Sequence, residues 1–370
     1  MAPQRITLIS GIYPPDKGGP AQFVSQFSDW ATKRDIFVKV VSLTDAESVD
    51  LHEPRRSITL LSRKKNLVIR MASSIYKIVE PLFSRRIVLA NGMFLEALVV
   101  SFLPGTRLIS KVPGDIVWER ARNRNLTKLD IDAYQGQESW KMRIFRFLFT
   151  LSLKRSDTVI APSGHLARLI NRWGVSSKKI VVVRNSTDTE LFSPSKENSL
   201  RYDVISVGRL VKWKGFEELI QICAELKQSL VVVGDGPERE NLETLAAKLG
   251  ADVNFLGDVM HQTLPQLLRD SGVFVLNSHY EGSPHSLIEA LAAGCISVAR
   301  NSTGSSEVLD SGIDGLLFKD GKELKTILLQ IKEDPKRFEI MRKSARNLAL
   351  EKYNRETNFQ SILNFLLEVK

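Results

Sequence analysis

Short apolar runs rich in Val, Ile and Leu alternate with amphipathic helical segments along almost the whole chain. The first half contains runs such as ITLIS, FVKVVSL and RLISKV, and the second half contains DVISV, SLVVV and VFVL. This alternation is typical of parallel β-sheets covered by helices on both faces. Because 370 residues exceed what one hydrophobic core normally holds, we predict an α/β protein of two doubly wound domains facing each other across a cleft.

A segment without hydrophobic periodicity separates the two sets of apolar runs. Residues 186–202, STDTELFSPSKENSLRY, cluster Ser, Thr, Asn and Pro and predict an interdomain linker. We therefore expect a first domain at residues 1–188, which the C-terminal helix 354–370 joins, and a second domain at residues 189–353. In open sheets of this kind, ligands bind beyond the carboxyl ends of the strands.

Basic residues are concentrated in the first half of the chain. Residues 1–197 contain 31 Lys and Arg against 18 Asp and Glu, whereas the remainder contains 21 against 24. This asymmetry indicates an anionic partner for the first half, either a membrane surface or an acidic acceptor. No recognised nucleic-acid-binding module accompanies the basic stretches, so we expect no nucleic acid among the partners.

Two basic stretches of the first half also carry apolar side chains at helical spacing. Residues 54–86 hold nine Lys or Arg against one acid, and their apolar face comprises Leu67, Met71, Ile75, Ile78 and Leu82. Residues 139–155 combine basic and aromatic side chains, namely Lys141, Arg143, Arg146, Trp140, Phe145, Phe147 and Phe149. Core packing accounts for such faces, but the accumulated charge favours peripheral binding to anionic lipid.

The composition also bears on the cellular compartment. No apolar run reaches the roughly 20 residues that span a bilayer, and the first residues do not resemble a secretory leader. Cys223 and Cys295 lie in apolar surroundings that predict reduced core residues, not a disulfide or a metal site. We therefore expect a cytoplasmic protein that associates peripherally with the inner face of the cell membrane.

The stretch HYEGSPHSLIEALAAG, residues 279–294, carries two glutamates, Glu281 and Glu289, around a predicted helix start. Ser283 suits the N-cap, Pro284 suits the first helical position, and Gly294 suits the residue after the helix. At 1.5 Å per residue, the glutamates are about 10 Å or more apart, beyond the spacing of a hydrolytic carboxylate pair. The spacing instead suits two parts of an elongated ligand, with free helix N–H groups between them for an anion such as phosphate.

Two further loops follow predicted strands. Gly18 and Gly19 in SGIYPPDKGGPAQF would let backbone N–H groups approach a phosphate or sugar, although an ordinary turn needs the same residues. Arg209 and Lys214 in VGRLVKWKGFEELI could neutralise a diphosphate without a metal, although a solvated basic loop is the alternative.

A third glycine-containing turn, VVVGDGPERENL, opens at Gly234 and Gly236. The dinucleotide-binding fingerprint would place another glycine at Arg239, so the sequence argues against a nicotinamide cofactor.

In this order, the motifs VGRLVKWKG, GDGPERENL, VNFLGDV and EGSPHSLIEALAAG resemble those of the family 4 retaining glycosyltransferases, which have the GT-B fold. NSTDTELF upstream and DGLLF downstream extend the resemblance over nearly the whole chain. The resemblance implies a nucleoside diphosphate sugar as donor, no cofactor and no metal. It implies that Glu281 lies beside the transferred sugar, that Glu289 bonds the ribose, and that Arg209 and Lys214 grip the diphosphate. The implied donor-binding residues are Gly18, Gly19, Gly208, Arg209, Lys214, Gly234, Gly282, Ser283, Pro284, His285, Ser286, Leu287 and Glu289.

The sequence departs from the family where many members have a histidine near the donor sugar. The comparable segment here is KVPGDIVWERARNRN, in which Asp115 is the best candidate to approach the sugar. Trp118 and Glu119 are candidate acceptor contacts. Alternatively, Asp115 caps the helix that follows. The one D-x-D sequence, Asp130 to Asp132, does not end a buried strand, so we predict a surface turn there instead of a metal site.

These patterns predict a retaining, metal-independent glycosyltransferase that transfers a sugar to a hydroxyl of a glycan or a lipid-linked acceptor, in cell-surface polysaccharide or glycolipid synthesis. Two other classes stay open. A sugar-nucleotide epimerase or phosphorylase could share the architecture, and a non-catalytic sugar-nucleotide-binding protein could share the motifs.

Overall fold

A computed structural model of the protein describes residues 5–16, 18–80, 86–194 and 200–368. The chain forms two compact units, one comprising Met1–Val183 and Phe359–Lys370 and the other comprising Arg184–Asn358. The division thus falls slightly earlier than residue 189, and the return to the first unit falls within the last helix. Throughout the part of the chain that the structure describes, no helix is both long enough and apolar enough to cross a bilayer.

The described part of the first unit is an eight-stranded sheet with flanking helices, in the strand order β3-β4-β2-β1-β5-β6-β7-β8. Its strands are β1 (Arg5–Ser10), β2 (Phe37–Thr44), β3 (Val49–Glu53), β4 (Arg56–Ser62), β5 (Arg86–Ala90), β6 (Thr106–Lys111), β7 (Thr158–Ala161) and β8 (Ile180–Val182). Its helices are α1 (Gly19–Thr32), α2 (Leu67–Val79), α3 (Phe94–Val100), α4 (Ile116–Asn123), α5 (Ile131–Tyr134), α6 (Trp140–Arg155) and α7 (Gly164–Arg172).

The second unit has a six-stranded sheet in its described residues, in the order β11-β10-β9-β12-β13-β14. Its strands are β9 (Tyr202–Val207), β10 (Leu230–Val233), β11 (Val253–Gly257), β12 (Ser271–Leu276), β13 (Ile296–Arg300) and β14 (Leu316–Phe318). Its helices are α8 (Phe216–Leu226), α9 (Arg239–Leu249), α10 (Leu264–Arg269), α11 (His285–Ala292), α12 (Thr303–Ser306), α13 (Gly321–Glu333) and α14 (Glu339–Lys352), and α15 (Arg355–Leu367) leads back to the first unit.

The strands predicted from apolar runs are present, and β3 is an addition. It pairs antiparallel to β4, whereas the other strand pairs of the two sheets are parallel. All five residues of its sequence, VDLHE, are exposed. An edge strand that buries no face needs no apolar run, which is why the pattern did not reveal it.

Aromatic side chains anchor the last helix in the first unit. Phe359 of α15 packs edge-on against Phe23, Phe27 and Trp30 of α1, with ring centroids 5.2 to 5.8 Å apart. These four residues are buried among the side chains of β1 and β2. The chain terminus therefore contributes to the core of the unit in which the chain begins.

The predicted interdomain linker is wrong for its described residues, because the segment packs within the second unit. Phe192 is fully buried in that unit's core, and Thr187 pairs with Asn354 in an isolated bridge. Asp188 accepts hydrogen bonds from the N–H groups that follow it and forms an ion pair with Arg355. Residues 195–199 of the predicted linker lie outside the described part of the chain.

Candidate active site

The strand order of the second sheet reverses between β9 and β12. From β9 the chain proceeds outward through β10 and β11, then returns to pair β12 with the other side of β9. Because β9 and β12 are parallel neighbours, the loops that follow them leave the same edge of the sheet. Ligands of open α/β sheets bind at such a switch point, beyond the carboxyl ends of the strands.

The two loops at this point carry three of the predicted site residues. Lys214 ends a short 3-10 turn after β9, and Glu281 lies in the loop after β12. The Lys214 Nζ atom is 2.5 Å from Glu281 Oε1, and the two side chains are only 19% and 13% exposed. Arg209, on the same loop as Lys214, is exposed and has no side-chain hydrogen bond or ion pair among the described residues. The site therefore holds a half-buried ion pair beside an available guanidinium group.

A network that the motifs did not indicate joins the two loops. Asn277, directly after β12, donates to the Gly215 carbonyl oxygen at 2.8 Å and to Glu218 at 2.9 Å. Arg300, at the end of β13, donates to Asn277 Oδ1 at 2.9 Å and pairs with Glu218. These bonds fix the turn that carries Lys214 to the strand that leads to Glu281. Polar residues that end two buried apolar runs, as in VFVLNS and CISVAR, are the sequence signal that would have revealed them.

Helix α11 begins one residue later than predicted. Pro284, not Ser283, occupies the N-cap position, and no side chain caps this N-terminus. Proline has no N–H group and no hydrogen-bonding side chain, so the first-turn N–H groups of Ser286 and Leu287 have no acceptor among the described residues. Gly294 has φ 70° directly after the helix, as predicted for a residue that stops it.

Asn185, near the start of the second unit, anchors the loop before α11. Asn185 donates through Nδ2 to the Ser283 carbonyl oxygen at 3.1 Å. Gly282 and Ser283 are half-buried, as are His285 and Ser286 of the first turn. Gly304 of α12 lies so close to the Glu281 backbone that any side chain there would collide with the Glu281 carbonyl oxygen. The position of Glu281 is thus constrained from both sides of its loop.

Glu289, the second predicted glutamate, lies inside α11 and is almost fully buried. Its Oε1 atom is 2.8 Å from Nε2 of His261, which lies in the loop after β11. This hydrogen bond, and the carboxylate charge behind it, raise the pKa of His261 above its ordinary value against the opposing effect of burial. The sequence analysis did not single out His261, because nothing in LGDVMHQTL indicates that this loop reaches α11.

The glycines at the ends of β9 and β10 have a packing role. A side chain at Gly234, which has φ 126°, would collide with the Gly208 carbonyl oxygen, and one at Gly236 would collide with the backbone of Leu210. Gly208 itself lies near the aliphatic part of Lys214. Close approach of the two loops therefore accounts for Gly234 and Gly236, whether or not a ligand also needs them.

The predicted glycine loop lies at the corresponding point of the first sheet, where the strand order reverses between β1 and β5. Gly18, with φ 141°, is the N-cap of α1, and Gly19 is the first residue of that helix. Arg63, at the end of β4, donates to the Gly11 carbonyl oxygen and pairs with Asp16 at 2.9 Å. Arg63 thus connects two points of this loop, Gly11 and Asp16, to the end of β4.

Asp115 does not offer a carboxylate to a sugar. Its side chain is fully buried and receives both terminal nitrogens of Arg146 at 2.7 and 2.8 Å. It also accepts from the N–H groups of Val117 and Trp118 at the start of α4, and from Gln135 at 3.0 Å. The alternative interpretation, a helix cap, describes these contacts, and the prediction of Asp115 as a catalytic residue is wrong.

Some of the predicted residues near Asp115 are also buried in structural contacts, whereas others are exposed. Trp118 is buried and donates through Nε1 to the Leu129 carbonyl oxygen, so it is not an available acceptor contact, whereas Glu119 is exposed. Asp130 caps the short helix α5 through a bond from the Ala133 N–H, and Asp132 pairs with a histidine of α7. The D-x-D sequence therefore lies at a helix start and does not directly follow a strand.

The two basic stretches differ in what they expose. In α2, Leu67 is exposed, Met71 and Ile75 are half-buried and Ile78 is buried, while the predicted position Leu82 lies outside the described residues. In α6, Phe149 is buried and Arg146 is held by Asp115 and Glu138, but Trp140, Ile144 and Phe147 are 68%, 52% and 65% exposed. Each of the two helices thus packs one part of its apolar surface and exposes another.

Both buried cysteines have the thiol chemistry expected of core residues. Neither Cys223 nor Cys295 forms a disulfide. Burial raises the pKa of each thiol to about 12, so neither is ionised near neutral pH.

Comparison with known proteins gives two family matches. The model described as glycosyl transferases group 1 matches residues 187–348, and the model described as glycosyltransferase family 4 matches residues 17–191. Among curated relatives, an uncharacterized glycosyltransferase of Methanocaldococcus jannaschii is 28% identical over 55% of this chain and 56% of its own length. The lipopolysaccharide core biosynthesis glycosyltransferase LpsD of Rhizobium meliloti is 32% identical over 48% of this chain and 54% of its own length.

The chain spans about half the length of these two curated relatives. A third, the N,N'-diacetylbacillosaminyl-diphospho-undecaprenol alpha-1,3-N-acetylgalactosaminyltransferase of Campylobacter jejuni, is 25% identical over 63% of this chain and 68% of its own length. Among solved structures, sucrose-phosphate synthase from Thermosynechococcus elongatus has a TM-score of 0.79 at 20% identity, covering 98% of both chains. Anabaena HepE, solved with UDP and glucose, has a TM-score of 0.78 at 19% identity, covering 98% of this chain and 99% of its own. These likenesses show the fold.

Proposed function

The chain belongs to the family 4 glycosyltransferases and has the GT-B fold, and from this premise we propose a retaining enzyme that transfers a sugar from a nucleoside diphosphate to a hydroxyl group. The acceptor is a glycan or a lipid-linked glycan. The observation that carries the proposal is the ion pair of Lys214 and Glu281 beside exposed Arg209 at the switch point of the second sheet.

The diphosphate is the part of the donor that the second unit is best equipped to bind. Arg209 and Lys214 supply two cationic groups, and uncapped α11 supplies the N–H groups of Ser286 and Leu287. Helix N-termini and fixed cations both favour phosphate oxygens. No metal is required for this neutralisation, so we propose that the reaction is metal-independent and uses no cofactor.

The reaction follows from where charge develops. The bond between the sugar's anomeric carbon and the diphosphate oxygen breaks, and its electron pair stays on the diphosphate. The acceptor oxygen bonds to the anomeric carbon on the same face, and its proton passes to the departing phosphate oxygen. Lys214 and Arg209 stabilise the negative charge as it grows, which is the usual source of the largest catalytic contribution.

The two glutamates bind different parts of the donor. Lys214 moves from Glu281 toward the diphosphate when the donor binds, and Glu281 then accepts hydrogen bonds from hydroxyl groups of the sugar. Glu289, on the second turn of α11, accepts from the ribose. The first unit supplies the acceptor site.

A lipid-linked acceptor suits both the charge of the first unit and its exposed apolar surface. Trp140, Ile144 and Phe147 follow the i, i+4, i+7 spacing of one helical face of α6, and Lys141 and Arg143 beside them are exposed. Arg120 of α4 adds a further cation, which stacks on Phe145 of α6. We propose that this face binds anionic phospholipid at the inner surface of the cell membrane, because it combines aromatic and basic side chains. The names of the Rhizobium and Campylobacter relatives support a role in cell-surface or lipid-linked glycan synthesis.

The donor is identified by thermal shift with UDP, GDP, ADP and their sugars, since a ligand at 100 times its Kd adds about 2.7 kcal/mol of stability. Incubation of the stabilising donor with glycan and lipid-linked acceptors, with and without EDTA, then tests the reaction. We expect transfer with retained anomeric configuration and no loss of rate in EDTA. Release of an epimer or of sugar phosphate without transfer would instead indicate one of the other enzyme classes, and binding without turnover would indicate a binding protein.

Lipid binding is tested by flotation with phosphatidylglycerol-containing vesicles and with neutral phosphatidylcholine vesicles. We expect the wild-type protein to float only with the anionic vesicles, and the triple variant Trp140→Ser, Ile144→Ser, Phe147→Ser to remain in solution. Ile340→Ser is the matched control, because Ile340 is an 80% exposed apolar residue of the second unit. Equal flotation of the triple variant and the control would overturn the assignment of this face.

A further inference from the structure

His261 is hydrogen-bonded to Glu289, whose carboxylate is proposed above to bind the ribose. Its Nε2 atom lies 2.8 Å from Glu289 Oε1, and the Glu289 side chain is only 9% exposed. Oε2 of Glu289 forms no hydrogen bond among the described residues. One carboxylate oxygen is therefore occupied by the imidazole, and the other is available to a ligand.

The imidazole ring is itself held in place. Its centroid lies 5.1 Å from that of Phe192, which is fully buried. The other charged groups that influence His261 are Asp188 and Arg355, which lie 2.6 Å apart in their own ion pair and so largely offset each other. Glu289 is thus the charged group that governs the protonation of His261, and the ring has little freedom to turn away from it.

We propose that His261 is a positioning residue that fixes Glu289 for the ribose, so that the protein's preference for ribonucleotides depends on the protonation of this histidine. The inference rests on the proposed function, which assigns Glu289 to the ribose. A protonated imidazole adds the attraction of its positive charge to the hydrogen bond with the carboxylate, so it holds the carboxylate more firmly than a neutral imidazole does. It holds the Glu289 side chain, and with it Oε2, in one direction. When His261 loses its proton, the carboxylate is held less firmly.

A carboxylate oriented toward two ribose hydroxyl groups discriminates against nucleotides that lack them, because the buried acceptor then remains unpaired. The proposal therefore concerns a ratio of affinities, namely the Kd of a 2′,3′-dideoxynucleoside diphosphate divided by the Kd of the corresponding ribonucleoside diphosphate. A purely structural role of His261 would change the stability of the protein but leave this ratio unaltered.

The experiment measures that ratio by isothermal titration calorimetry from pH 5.5 to 9. It uses whichever of UDP, GDP and ADP binds the wild-type protein best, together with its 2′,3′-dideoxy analogue. The variants are His261→Ala, His261→Gln and Glu289→Gln. His165→Ala is the matched control, because His165 forms a similar 2.9 Å contact with Asp132 in the first unit. Thermal unfolding of each variant checks that it is folded.

We expect the wild-type protein to prefer the ribonucleotide about tenfold or more at pH 5.5, as the loss of a hydrogen bond to a charged group implies. The ratio should fall as the pH rises through the pKa of His261. Glu289→Gln and His261→Ala should both reduce it at acidic pH. His261→Gln, which keeps a donor without a titratable charge, should give an intermediate ratio that does not change with pH. The control should match the wild-type protein.

The outcomes separate the two proposals. If Glu289→Gln abolishes the preference but His261→Ala retains it, or if the wild-type ratio rises with pH, the role of His261 is overturned while that of Glu289 stands. If the wild-type protein binds the nucleotide without any preference for ribose, the assignment of Glu289 is overturned together with that of His261. If none of the three nucleotides binds, the proposed function itself fails.

Discussion

The ammonium group of Lys214 lies 2.5 Å from the carboxylate of Glu281, joining the two loops that leave the switch point of the second sheet. Both side chains are largely shielded from solvent, where an unpaired charge would be unfavourable. The ion pair means that each charge compensates the other. A bound diphosphate would compete with Glu281 for Lys214, and Glu281 would then accept from the sugar instead. If the proposed function is correct, the ion pair keeps both side chains at the switch point before the donor binds.

Replacing Lys214 by alanine should remove turnover while leaving the fold intact. The charge that Lys214 would stabilise develops in the transition state, so we expect kcat to fall about 10²- to 10³-fold. The matched control is Lys212→Ala, which removes an exposed lysine from the same turn and should leave kcat unchanged. Steady-state kinetics with the identified donor gives both values, and near-normal turnover of Lys214→Ala would refute the assigned role.

Replacing Asp115 should affect stability and not chemistry. Asp115→Ala removes the bidentate partner of the buried Arg146 guanidinium and leaves it with the ion pair to Glu138, which should cost about 3 kcal/mol. Glu225→Ala, which breaks an exposed ion pair with Lys325, should cost less than about 1 kcal/mol. Urea unfolding measures both costs, and kcat per folded molecule should match that of the wild-type protein at low temperature. A soluble, stable Asp115→Ala variant with strongly reduced kcat would restore the catalytic interpretation.

The predictions that succeeded concern residues whose neighbours in sequence determine their environment. Buried parallel strands need continuous apolar runs, so β9 and β12 were evident, whereas exposed β3 was not. The glycine that ends α11 was predictable because φ 70° is a local requirement at Gly294. The start of the same helix was misplaced by one residue, since Ser283 and Pro284 satisfy similar local rules.

The predictions that failed concern partners distant in sequence. Asp115 follows a strand exactly as a ligand-binding residue would, and only Arg146, 31 positions later, reveals that it is buried in an ion pair. His261 and Glu289 are 28 positions apart and meet because the loop after β11 reaches α11 in the folded unit. Neither contact has a local signature. Likewise, Phe192 reads as part of a polar linker until the core that surrounds it is known.

Replacing Gly234 by alanine should destabilise the second unit. The residue has φ 126°, and the added Cβ would collide with the Gly208 carbonyl oxygen, so the loops after β9 and β10 must separate. We expect a cost of about 2 kcal/mol or more. Gly250→Ala is the control, because Gly250 also has a positive φ of 59° but nothing within 4 Å of the added atom, and should cost about 1 kcal/mol. Urea unfolding of the two variants gives the comparison, and equal costs would show that the collision is relieved.

The bond between His261 and Glu289 should make stability depend on pH. Folding raises the pKa of His261 above 6.5, chiefly through the hydrogen bond that the imidazole donates to Glu289. A raised pKa means that the folded state binds the proton more tightly than the unfolded state. The contribution is therefore fully present below pH 6.5 and is lost as the pH rises through the raised pKa of the folded protein.

The free energy of unfolding of the wild-type protein and of His261→Gln, measured in urea from pH 5.5 to 9, isolates this contribution. The difference between the two should be largest at pH 5.5, on the order of 1 kcal/mol, because the bond then joins two charged groups. It should shrink toward pH 9. In a Glu289→Gln background the same histidine substitution should give a difference that no longer falls as the pH rises, since the carboxylate that raises the pKa of His261 is gone and burial, which lowers it, remains. A difference that grows with pH would mean that burial, which lowers the pKa of His261, outweighs the carboxylate.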